Sequence, residues 1–86
     1  MNTTITRQNE TIQETLSWLE DEAKRHGLVE GYKAKFIREE NQWRFFAVKP
    51  GNLNDALERA EVLVELEEAW QERQPPSEWR LMLIPA

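Results

Sequence analysis

Residues 32–49 constrain the fold more than any other part of the chain. Two runs rich in aromatic and β-branched residues, 32–39 and 42–49, flank Glu40-Asn41. Such side chains suit a pleated surface, and asparagine tolerates the positive φ that a tight turn needs. The pattern predicts a β-hairpin with its tip at Glu40-Asn41. With Glu39 opposite Gln42, Phe36 faces Phe45, Ala34 faces Ala47 and Arg38 faces Trp43.

Side chains alternate across a strand, so the hairpin divides into two faces. Tyr32, Ala34, Phe36, Trp43, Phe45 and Ala47 form an aromatic, uncharged set and are expected in the core. Lys33, Lys35, Ile37, Arg44, Phe46 and Val48 form the other set and are expected on the uncovered side.

The flanking segments supply the cover. In residues 9–26, Ile12, Leu16, Leu19 and Ala23 recur at helical spacing. Asn9 or Thr11 caps the start, and Thr11-Ile12-Gln13-Glu14 has the form of a capping box. Lys24, Arg25 and His26 complement the negative end of the helix dipole, and Gly27 ends the helix. Trp18 lies off the main stripe and is expected to flank the core. Pro50-Gly51 ends the hairpin, since proline cannot continue a ladder. A second helix over residues 53–73 starts at an Asn52 or Asn54 cap and carries Leu53, Ala56, Leu57, Ala60, Leu63 and Val64 on one face. Pro75-Pro76 stops it, and residues 79–84 form a last strand with Arg80, Met82 and Ile84 turned to the uncovered side.

The expected fold is therefore a single α+β domain over residues 1–86. It is a two-layer sandwich of order αββαβ, with an antiparallel-dominated sheet and both helices on one face. Residues 3–6, Thr-Ile-containing, are either an extra N-terminal edge strand or a tail. As a strand they turn the order into βαββαβ, the ferredoxin-like split arrangement.

Composition bounds the chemistry. The chain has no cysteine and one histidine, so neither a disulfide nor the usual zinc ligand sets are expected. His26 is explained by its helix end. Glu58, Glu61, Glu65, Glu68 and Glu72 follow helical spacing without the glycine of a calcium loop, which reads as a solvated face. Three dispersed glycines make no phosphate-cradling loop. No enzyme, cofactor or metal is expected. The longest apolar run, Leu81-Met82-Leu83-Ile84, is far short of the ~20 residues a membrane helix needs. Residues 1–7 lack the pattern of a secretory signal, and a cytoplasmic location is expected.

Charge is unevenly placed within a net of −5. Residues 53–73 hold seven acids and two bases, residues 9–26 five acids and two bases, and residues 33–49 five bases and two acids. A basic sheet beside acidic helices suits an oriented contact with an acidic partner. A second contact surface is expected on the long helix, where Val62, Leu66 and Ala69 lie roughly opposite its first stripe, with Trp70 as a plausible anchor of a homodimer. These features point to a noncatalytic protein-interaction, regulatory or adaptor domain that self-associates. The expected contact residues are Lys33, Lys35, Ile37, Arg44, Phe46, Val48, Arg80 and Met82 on the sheet, and Val62, Leu66, Ala69 and Trp70 on the helix. The alternative is single-stranded nucleic-acid binding by the basic sheet face, a geometry that stacks unpaired bases.

Overall fold

The computed structural model describes residues 7–28 and 30–86. Their order is α1 (Ile12–Arg25), β1 (Tyr32–Glu40), β2 (Trp43–Pro50), α2 (Ala56–Gln71) and β3 (Arg80–Pro85). This is the expected αββαβ, an α+β arrangement of two helices and one three-stranded sheet. The strand expected at residues 3–6 lies outside the described residues.

Local chemistry fixes α1. The Thr11 hydroxyl accepts the Glu14 amide at 3.0 Å, and the Glu14 carboxylate accepts the Thr11 amide at 3.0 Å. Both free donors at the helix start are thus satisfied reciprocally. Hydrogen bonds from the Thr11 backbone and then its side chain hold the Glu14 carboxyl below its usual range. At the other end Gly27 has φ +75°, the Gly27 amide donates to Lys24 O and the Leu28 amide donates to Ala23 O. That is a Schellman closure, which favours glycine at the left-handed position. For α2 the cap is Asp55, one residue past the expected Asn54, with its carboxylate accepting the Leu57 amide at 2.8 Å.

The sheet is mixed. β2 lies in the centre, antiparallel to β1 and parallel to β3. The longer ladder is the antiparallel one. A parallel neighbour needs a crossover connection, and α2 supplies it. Because β2 and β3 are direct neighbours, this βαβ unit is not split among the described residues, unlike the ferredoxin-like arrangement.

The hairpin differs from expectation in two ways. Its turn is Asn41-Gln42, both at positive φ, instead of Glu40-Asn41. Moving the tip sets Glu40 opposite Trp43 and Arg38 opposite Phe45. A bulge at Ile37 then shifts the register by one residue, so that Phe36 faces Phe46 and Ala34 faces Val48. A one-residue shift exchanges the faces of everything beyond it. Tyr32, Ala34 and Phe36 therefore join Arg44, Phe46 and Val48 on the helix-covered side, while Trp43, Phe45 and Ala47 turn outward.

The core lies between that side and both helices. It contains Leu19 from α1, Leu63, Leu66 and Trp70 from α2, and Phe46, Val48, Leu81 and Leu83 from the sheet. Trp18 packs edge-on to Trp70 at 5.0 Å, and Phe36 edge-on to Phe46 at 5.6 Å. The outer edge of β3 is closed by other means. The Leu83 amide donates to the Glu67 carboxylate of α2 at 2.8 Å, and Pro85 has no amide to offer.

Among the described residues, two charged side chains sit inside, Arg44 and Glu10. Arg44 is 4% exposed. Its Nε donates to Glu39 at 2.9 Å, and its Nη1 donates to Glu10 O at 2.6 Å and to the Thr15 hydroxyl at 3.3 Å. The guanidinium also lies 4.0 Å from the Trp79 ring centroid. Next to it the buried Glu10 carboxylate accepts from Arg73 at 2.7 Å and from the Ser77 hydroxyl at 2.6 Å. The backbone of Gln8 exchanges hydrogen bonds with Pro76 and Glu78. The N-terminal segment is thereby sewn to the approach to β3.

Arg44→Ala leaves these acceptors without their donor and is expected to destabilise the fold by about 3 kcal/mol, whereas Lys35→Ala, on the open surface, stays within ~0.5 kcal/mol. Urea melts of the two variants compare them, and equal losses contradict the burial of Arg44. Tyr32 gives a pH prediction. Its hydroxyl is buried without a hydrogen-bond partner among the described residues. Burial, and then the negative charge of Glu20, push its pKa from 10.0 up to about 12. Between these values the unfolded chain ionises and the folded chain does not, so stability falls as pH rises from 10.0 towards about 12. As the chain's one tyrosine, its ultraviolet absorbance titrates alone. The folded midpoint is expected near the raised value, and Tyr32→Phe is expected to remove this contribution to the alkaline loss.

Candidate docking surfaces

The sheet face opposite the helices is built from all three strands. β1 contributes Lys33, Lys35, Ile37 and Arg38, β2 contributes Trp43, Phe45, Ala47 and Lys49, and β3 contributes Arg80, Met82 and Ile84. The register places the outward residues side by side: Lys33 opposite Lys49, Lys35 opposite Ala47, Phe45 beside Met82, and Ala47 beside Ile84. Ile37 is 47% exposed, Met82 39% and Ile84 40%. Trp43, Phe45 and Ala47 are half-buried by their neighbours. The Arg38 guanidinium lies 4.8 Å from the Phe45 centroid and that of Arg80 lies 5.7 Å from Trp43. The cations thus frame the aromatics, which favours keeping both in place. Glu40 is the acid at this end, 3.5 Å from Arg38.

The expected contact residues divide accordingly. Lys33, Lys35, Ile37, Arg80 and Met82 are exposed on this face. Arg44, Phe46 and Val48 are not: the bulge at Ile37 turns them to the core, where Phe46 and Val48 are fully buried. Their places outside are taken by Trp43, Phe45, Ala47 and Lys49. The same exchange occurs on α2. Leu66 and Trp70 are buried, Val62 packs on the core and Ala69 is half-buried, so the expected second stripe is consumed internally. Trp70 donates its indole N–H to Trp79 O at 2.8 Å, which fixes it inside. Of the stripe expected in the core, Leu63 is buried and Leu53 half-buried, but the rest is left outside: Ala56 and Ala60 are exposed, with Leu57 at 66% and Val64 at 49%.

A cleft of about 360 Å³ lies where β3 begins, lined by Trp43, Trp70, Trp79, Arg7 and Arg80, with Gln71, Pro76 and Ser77. Two arginines and no carboxylate line it in a chain of net charge −5. It opens beside Trp43 and so adjoins the sheet face. Among the described residues no group of three or more His, Asp or Glu is placed to hold a metal ion, and no helix is long and apolar enough to cross a membrane. His26 lies between Glu22 and Glu65, with Nδ1 3.5 Å from the Glu65 carboxylate.

No family model matches the chain, and no curated protein or solved structure matches it.

The exchange of faces has a direct test. Phe46→Ala empties a fully enclosed site and is expected to cost about 3–5 kcal/mol. Phe45→Ala removes a half-covered ring and is expected to cost about 1 kcal/mol or less. Thermal melting of the two variants reads the difference, and the reverse order would restore the unbulged register.

Proposed function

We propose that this chain is a noncatalytic interaction module, of the adaptor or regulatory kind, whose uncovered sheet face receives an acidic, partly apolar segment of a protein partner. The observation that carries the reading is the composition of that face. Phe45, Ala47, Met82, Ile84 and Ile37 form an apolar centre, and Lys33, Lys35, Arg38, Lys49 and Arg80 surround it. A contiguous apolar area of a few hundred Å², roughly, is a size that often marks a contact site. The cations select the sign of the partner and speed encounter with it. The buried polar cluster supports the noncatalytic part, since the Glu10 carboxylate and the Arg44 guanidinium are spent on hydrogen bonds that hold the fold.

A second reading rests on the cleft. Trp43 and Trp79 between Arg7 and Arg80 offer ring faces and positive charge, which suit a single-stranded nucleic acid. The net charge of −5 opposes phosphate binding over longer range, so the protein partner is favoured.

Titration of isotope-labelled protein with a synthetic amphipathic peptide rich in glutamate and leucine, followed by amide shifts, tests the reading. Lys35, Phe45, Ala47, Met82 and Ile84 are expected to move, and the exposed side of α1 is not. If oligothymidylate moves Trp43 and Trp79 while the peptide moves nothing, the surface passes to nucleic acid. If neither ligand produces shifts, the face is a solvated sheet surface and the proposal falls.

A further inference from the structure

All five exposed large hydrophobics among the described residues fall on two surfaces. Ile37, Met82 and Ile84 lie on the sheet face, and Leu57 and Val64 lie on α2. The two surfaces carry opposite charge. Ala60 and Val64 line a shallow groove with Glu61, Glu65 and Glu68, without a cation. Across the molecule, Ala34, Ala47 and Ala86 line a depression with Lys33, Lys35 and Lys49, without an acidic side chain. Among the described residues, none of these lysines is within ion-pair distance of an acid. Of the three glutamates, Glu65 lies 3.5 Å from His26, and among the described residues neither Glu61 nor Glu68 is within ion-pair distance of a cation.

The α2 stripe has no way to reach its own sheet's open face. Leu66 sits about 180° around the helix from Leu57, and it is Leu66, with Leu63 and Trp70, that packs on the covered face. The stripe therefore points away from the sheet that would complement it.

We infer that the acidic stripe Leu57–Ala60–Val64 of one copy docks on the basic sheet face of a second copy. The inference rests on the reading of that face given above and names its occupant. Apolar residues meet at the centre, and Glu61, Glu65 and Glu68 meet Lys33, Lys35 and Lys49 at the rim. The contact joins two different patches, so it is heterologous. Each copy keeps one free stripe and one free face, and association continues head to tail unless the rotation closes a ring.

Two variants separate the halves of the contact. Leu57→Gln with Val64→Gln disables the stripe, and Lys33→Glu with Lys35→Glu disables the face. All four positions are exposed, and unchanged circular-dichroism melts confirm that both variants fold. In sedimentation velocity the unaltered chain is expected to gain at least about twofold in average mass as concentration rises into the sub-millimolar range, and to lose that gain in about 0.5 M salt. Each variant alone is expected to stay monomeric. Their mixture retains one intact stripe and one intact face, and is expected to form a one-to-one dimer that grows no further. A variant that still self-associates alone, or a mixture that stays monomeric beside an associating parent, overturns the head-to-tail contact. A parent that is monomeric throughout also overturns it. If the parent's sheet amides still shift with the glutamate–leucine peptide, the reading of the face survives and only its occupant is wrong. If they do not, both fall together.

Discussion

Arg44 is the interaction on which the rest of the structure depends. A guanidinium on the central strand, turned inward, is costly to desolvate, and only a full set of acceptors offsets that cost. The acceptors come from four places: Glu39 on β1, the backbone of Glu10 before α1, Thr15 within α1, and the ring of Trp79 ahead of β3. Each is useless alone. Together they specify how the N-terminal segment, the first helix and the last strand meet the middle of the sheet. The neighbouring Glu10–Arg73–Ser77 group extends the same constraint to the end of α2. Apolar packing is non-directional and by itself sets the orientation of α1 less strictly than hydrogen bonds do. A directional group at the centre of the core supplies that constraint.

Much of the fold is legible in the sequence, for identifiable reasons. Helix α1 shows regular spacing, a capping box and a closing glycine, all agreeing. The last strand shows unbroken alternation, and its outward residues Arg80, Met82 and Ile84 are placed as expected. The hairpin is visible as a hairpin, but its two faces are not. Alternation assumes an uninterrupted ladder, and an extra residue at Ile37 leaves no mark in composition. Helix α2 fails differently. It is apolar around much of its circumference, so periodicity offers two solutions. The burial of Trp70 and Leu66 decides between them by volume, which no periodic count weighs. Arg44 is illegible for a third reason: a cation in an alternating strand reads as surface, and its acceptors lie 5 to 35 positions away in the chain.

The exposed apolar groups gather on two patches. The sheet face loses Phe46 and Val48 but gains Trp43 and Phe45, larger groups set beside arginines. The helix loses Trp70 but exposes Leu57 and Val64 among glutamates. Charge and apolar area end up on the same two patches, on opposite sides of the molecule. That placement follows from one bulge and one helix rotation, both set by what the core needs to enclose.

The capped edge of β3 carries a consequence of its own. With the Leu83 amide held by Glu67 and no amide on Pro85, an incoming strand finds two successive donors missing along that border. Strand addition, the usual route by which small sheets recruit peptides or fuse into fibrils, is discouraged there. What this border presents is thus shifted from the backbone, which is the same in every protein, to side chains, which are not. The glutamate that closes the border therefore leaves side-chain chemistry, not backbone pairing, as what the fold offers there.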